Sequence, residues 1–170
     1  MTSPELEVHL MRRIPKVLLV ALVAAAAAAL PAAPAHADSW SGVFIESSLS
    51  GTCVAVPDAV DGSAATQEIC LDVSTQLWNV VEITSGKYRI VSFGTGKCLA
   101  GVGTATGSPV RQLTCDGGTA QQWYGSGTGN TLRFTNVVSG KCLSRPSKDP
   151  GTALVQGTCV TLYAQWRLLY

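Results

Sequence analysis

The chain has 170 residues, twelve Lys plus Arg against eleven Asp plus Glu, and a hydrophobic content of 46%. That is enough for one domain with a modest core. The balanced charge steers the protein toward neither nucleic acid nor an anionic membrane.

The N-terminal 37 residues read as a targeting segment. Arg12, Arg13 and Lys16 form a positive patch, Val17 to Leu30 run apolar without a charge, and Ala35-His36-Ala37 supplies a small-x-small end. Basic segment, apolar core and Ala-x-Ala site together read as a secretory signal peptide spanning 1–37. A retained membrane anchor is the alternative, but fourteen helical residues reach only about 21 Å of a hydrocarbon core about 30 Å thick. Either Met1 or Met11 can be the true start, and the Arg pair leaves general and twin-arginine export open. The expected product is an exported, monomeric domain over residues 38–170, with no membrane association after cleavage.

Both histidines, His9 and His36, fall in the removed segment. Without imidazole, the remainder excludes Ser-His-Asp and Cys-His nucleophiles and any His-ligated metal. Neither cofactor nor metal is expected.

Next in the chain comes a pattern that repeats three times. Gly51-Thr52-Cys53 is followed by Cys70 and Trp78, Gly96-Lys97-Cys98 by Cys115 and Trp123, and Gly140-Lys141-Cys142 by Cys159 and Trp166. Each cysteine pair is 17 residues apart, and the first cysteine advances by 45 and then 44 residues. The units span about 40–83, 84–128 and 129–170. An even cysteine count in an exported small domain reads as disulfides, and no Cys-x-x-Cys pair occurs. Internal symmetry selects Cys53–Cys70, Cys98–Cys115 and Cys142–Cys159.

Within the units, runs such as Tyr88–Ser92 and Leu132–Val137 alternate apolar and polar residues, which predicts strands. Glycines at 94–96, 101–107, 117–118 and 125–129 supply turns between them. About four short strands per unit give roughly a dozen, so the fold class is all-β. A fixed period of this length demands a repeat architecture. Three units closing about a three-fold axis would hide every strand edge, whereas an open array would not.

The residues also carry a resemblance. Gly-Lys-Cys-Leu, a second cysteine 17 on, then Gln-Gln-Trp resembles the ricin B-chain type β-trefoil lectin family. The second unit matches best, with Lys97-Cys98-Leu99 and Gln121-Gln122-Trp123. The resemblance implies a β-trefoil of three pseudo-symmetric repeats with one disulfide inside each. A tryptophan recurring once per unit reads as that unit's core plug, so Trp78, Trp123 and Trp166 are expected in the core rather than at a ligand.

In sugar-binding members, the resemblance implies an Asp two residues after the first cysteine, an aromatic two before the second, and an Asn or similar group just after it. Those positions hold Ala55, Ala100 and Ser144, then Glu68, Leu113 and Gly157, then Leu71, Asp116 and Val160. Asp116 is the one carboxylate at such a position. With Gln112 nearby and the 101–107 stretch as a wall, it is the candidate binding residue. Asp58, Asp61 and Tyr163 are secondary candidates, each otherwise a solvated loop residue. The expected function is a secreted, non-catalytic carbohydrate-binding module whose partner is a glycan or polysaccharide, weak or divergent in its sugar specificity. A trefoil that binds or inhibits a protein is the alternative. Glycosidase chemistry would need two placed carboxylates, and no spacing nominates a pair.

Overall fold

The structure is a computed structural model that describes residues 39–170. The expected signal segment and the cleavage site after Ala37 lie outside them.

Alternation builds the strands. In Lys87–Ser92 and Thr131–Asn136 every second residue is buried, as in a strand with one face on a core. The strands are β1 (Trp40–Ser47), β2 (Thr52–Ala55), β3 (Thr66–Ile69), β4 (Leu77–Thr84), β5 (Lys87–Ser92) and β6 (Cys98–Gly101). They continue as β7 (Val110–Leu113), β8 (Gln122–Thr128), β9 (Thr131–Asn136), β10 (Cys142–Ser144), β11 (Thr152–Ala153), β12 (Val155–Gly157) and β13 (Trp166–Leu169). The two-residue β11 is an addition to the expected dozen.

Six of them form a ring without an open edge. β1 pairs with β4, β4 with β5, β5 with β8, β8 with β9, β9 with β13, and β13 with β1. Hairpins β2–β3, β6–β7 and β10–β12 cap this barrel and pair with one another through β11–β3 and the bridges Ala64–Arg111 and Pro109–Val155. This is a β-trefoil, with β1–β4, β5–β8 and β9–β13 as its three repeats.

At the centre of the cap the repeats bond in a circle. Ala65 N–H donates to Val110 O at 3.1 Å, Val110 N–H to Leu154 O at 3.1 Å, and Leu154 N–H to Ala65 O at 2.8 Å. All three residues are fully buried, so each group depends on a neighbouring repeat for its partner.

Trp78, Trp123 and Trp166 are fully buried in one core with Ile45, Ile90 and Phe134. Each indole Nε1–H donates at 2.9 Å to the residue following its repeat's first cysteine, at Val54 O, Leu99 O and Leu143 O. The ring thus removes about 150–250 Å² from water while its polar end stays satisfied. Cys53–Cys70, Cys98–Cys115 and Cys142–Cys159 are bonded, each with Cα atoms 5.1 Å apart. A loop of this length is worth about 3 kcal/mol through the unfolded chain. Tyr88 joins the core between Trp40 and Phe134. Its ring lies so close to Gly125 that a Cβ there would come within 2.5 Å of Tyr88 Cε2.

Candidate functional site

The cap loops are where this fold exposes polar side chains, and the structure sorts the candidate residues among them. Asp116 lies just beyond β7 and the Cys98–Cys115 disulfide, and it is exposed. Gln121 fixes the backbone here: its Oε1 accepts from Asp116 N–H at 3.1 Å, and its Nε2 donates to Thr114 O, two residues earlier, at 2.8 Å. Asp116 Oδ1 accepts from Gly118 N–H at 2.7 Å. Among the described residues its Oδ2 has no hydrogen-bond partner. The result is an anchored, solvent-facing carboxylate with acceptor capacity to spare.

Gln112 is a correction. It is fully buried and cannot reach a ligand in solvent. Its Nε2 donates to Asp58 O at 2.5 Å and Val60 O at 3.2 Å, and its Oε1 accepts from Thr95 at 2.9 Å. The side chain latches the first repeat's loop onto the second repeat. Gln67 does the same to the third repeat's loop through Ser147 O and Asp149 O, and Gln156 to the second repeat's loop through Gly103 O. Gln67 Oε1 accepts from Thr52, and Gln156 Oε1 from Ser139. The latch was visible as a glutamine three residues before each second cysteine.

The 101–107 stretch is also placed differently from the expectation. Gly107 N–H donates to Gln156 O, and Gly103 O accepts from Gln156 Nε2, so the loop is fastened to the third repeat. It forms the tip of the β6–β7 hairpin, three registered pairs from the Cys98–Leu113 end, or about 10 Å. It does not wall Asp116.

Asp58 and Asp61 are spent internally. Asp58 Oδ1 accepts from Val60 N–H and Ser63. Asp61 Oδ1 accepts from the backbone N–H and hydroxyl of Thr114 and from Lys97 Nζ at 3.1 Å. The Thr114 side chain, then Lys97, hold the Asp61 carboxyl below the ordinary carboxylate range. Hydrogen bonds from Ser63 and Val60 do the same for Asp58.

The third repeat has Ala164 where the others have Gln76 and Gln121. Arg145, fully buried, lies in the same repeat and makes a different set of bonds. It donates from Nη1 to Ser50 Oγ at 3.0 Å and from Nη2 to Leu162 O at 3.5 Å, with its guanidinium 5.1 Å from the Tyr163 ring centroid. Burial pushes its pKa below the ordinary guanidinium value. Tyr163 remains exposed at the rim. Ala55, Ala100 and Ser144 are buried within the first strands of the hairpins, and Gly157 has no room for a side chain because a Cβ would meet Ser144 Oγ at 2.7 Å.

Comparisons with known proteins agree with this architecture. A comparison with curated proteins returned no match. Among solved structures, the chain is similar to the designed three-fold symmetric protein ThreeFoil, with TM-score 0.72, 27% identity, and coverage of 75% of this chain and 97% of that one. An exo-beta-1,3-galactanase from Clostridium thermocellum matches with TM-score 0.72 at 20% identity over 76% of this chain, which spans only 30% of the enzyme. The hemolytic lectin CEL-III matches with TM-score 0.62 at 22% identity over 76% of this chain and 31% of its own. The family description "Ricin-type beta-trefoil lectin domain-like" matches residues 35–112 and again 74–157. With its closed barrel, three capped repeats and that match, the chain belongs to the ricin-type beta-trefoil lectin domain-like family.

Proposed function

We propose that the chain is an exported carbohydrate-binding module without catalytic activity, cleaved after Ala37 to a single domain over 38–170. Carbohydrate binding is the family-level function. The observation that carries the reading to a site is Asp116, an exposed carboxylate held in place from both sides with one oxygen unused. A carboxylate accepts hydrogen bonds from sugar hydroxyls more strongly than a neutral acceptor does. No ring stands beside it at the family positions, so an individual site is expected near the millimolar range, about −4 kcal/mol. Retention on a polymer then needs several contacts at once.

The test is a screen of the secreted protein against glycans and insoluble polysaccharides, with the mature N-terminus read by mass spectrometry and expected at Asp38. Asp116→Ala should weaken whatever glycan binding is found and leave the melting curve in place, while Asp149→Ala should change neither. Equal affinity in Asp116→Ala removes this site. Binding to a protein is the second reading, favoured by Ile69, Leu71 and Val73, which stand 65%, 57% and 42% exposed around Cys70. It is what remains if no glycan is retained.

A further inference from the structure

The barrel carries a second polar surface, away from the cap hairpins. On the outer wall of β5, β8 and β9, Lys87 stands across from Tyr124 and Arg89 across from Gln122. On the other side Tyr124 faces Thr135, and Ser126 faces Arg133. Residues two apart on a strand share a face, and diagonal neighbours across an antiparallel pair lie about 7–8 Å apart. Tyr124 therefore has one cation directly opposite and one on a diagonal to each side. Lys87 Nζ is 5.3 Å from its ring centroid, and Tyr124 is still 47% exposed.

These cations have no counter-charge. The ion pairs among the described residues are Lys97–Asp61 and Arg167–Glu46, and none of Lys87, Arg89 or Arg133 takes part. Arg133 also keeps its Nε shielded from solvent without an acceptor. Lys87 has only the Tyr124 ring beside it, and Arg89 and Arg133, at opposite ends of the row, make no ion pair within the described residues.

We infer that this wall is a binding surface for an acidic polysaccharide, one whose sugar rings carry carboxylates. The guanidinium groups of Arg89 and Arg133 match carboxylates in shape and charge. The exposed Tyr124 ring offers a flat apolar face to a pyranose between them. Arg89 and Arg133 lie four registered positions apart along β8, from Gln122 through Tyr124 to Ser126, or about 13 Å along the strands. A single small anion cannot reach both, whereas an oligomer can. The surface borders the Asp116 loop at Gln122, whose Nε2 donates to Gly117 O at 2.9 Å, but it rests on Arg89, Tyr124 and Arg133, so Asp116→Ala tests one site and the arginine variants test the other.

The experiment measures retention of the secreted protein on immobilised polygalacturonate, on the same polymer fully methyl-esterified, and on duplex DNA. We expect retention on polygalacturonate that weakens with salt and is lost on esterification. Arg89→Gln with Arg133→Gln should lower affinity about tenfold or more, and Tyr124→Ala should lower it about threefold or more. Lys148→Gln, which removes an exposed cation elsewhere, should change nothing. Thermal melts of each variant should match the parent. No retention at low salt overturns the inference, as does undiminished binding by the double arginine variant. Equal binding to DNA, or full binding by Tyr124→Ala, also overturns it, because the surface would then read charge and not sugar.

Discussion

Gln112→Ala tests the latch between repeats. The substitution removes two donated bonds to carbonyls, Asp58 O and Val60 O, a marginal 3.5 Å contact with Asp58 Oδ1, and the bond accepted from Thr95. At about 1 kcal/mol net for each bond the loss is about 3 kcal/mol. Asp58 and Val60 are exposed, so their carbonyls can turn to water and the cost should not climb much higher. That is a large share of the roughly 5–15 kcal/mol typical of a domain. Comparison across the repeats sharpens the test. Gln67 matches it in the bonds to carbonyls, two donated, and in the one accepted, whereas Gln156 donates one and accepts one. Urea unfolding with disulfides intact should place Gln67→Ala beside Gln112→Ala, with Gln156→Ala milder by about 1 kcal/mol. A loss under about 1 kcal/mol for Gln112→Ala, or Gln156→Ala the worst of the three, would refute the latch. Gln112→Glu adds a pH signature. The buried acid can donate to those carbonyls only when protonated, so its folded pKa is raised above the unfolded value of about 4.3. Its stability should be fullest below that value and fall as pH rises toward the folded pKa.

Trp123→Ala should cost about 3–5 kcal/mol as a core truncation, measured by the same unfolding; neutrality would remove Trp123 from the core. Asp61, held below the ordinary carboxylate range by Thr114 and Lys97, should titrate by NMR below about 3.9. Because its folded pKa is depressed, its contribution is present above the unfolded pKa and is lost as pH falls through the folded one. Thr114→Ala and Lys97→Ala should each move the midpoint up.

Much of the fold was legible because its three-fold pattern is written in residues with one dominant role each. A cysteine spaced 17 from its partner and a tryptophan after it have few alternatives in an exported β domain. The alternation at Tyr88–Ser92 likewise matched β5. The site was less legible. Gln112 looked like a surface amide because a glutamine usually is one, and only the loop of another repeat makes its burial favourable. Asp61 looked free because its partners Thr114 and Lys97 meet it through tertiary contact, and Asp58 because its bond to Ser63 depends on how the loop turns. The cations around Tyr124 come together through pairing register between β5, β8 and β9, which no local pattern encodes. The overall charge balance hid that local excess.

The circle of hydrogen bonds through Ala65, Val110 and Leu154 sets how many contacts this architecture can offer to a repetitive ligand. Each copy's inward donor and acceptor are both used by its two neighbours, so the circle is closed at three with no group left to receive another copy. Avidity therefore cannot be tuned here by lengthening the array, as it can in a solenoid. It has to come from differences among three fixed loops, from surfaces elsewhere on the barrel, or from linking whole domains in tandem.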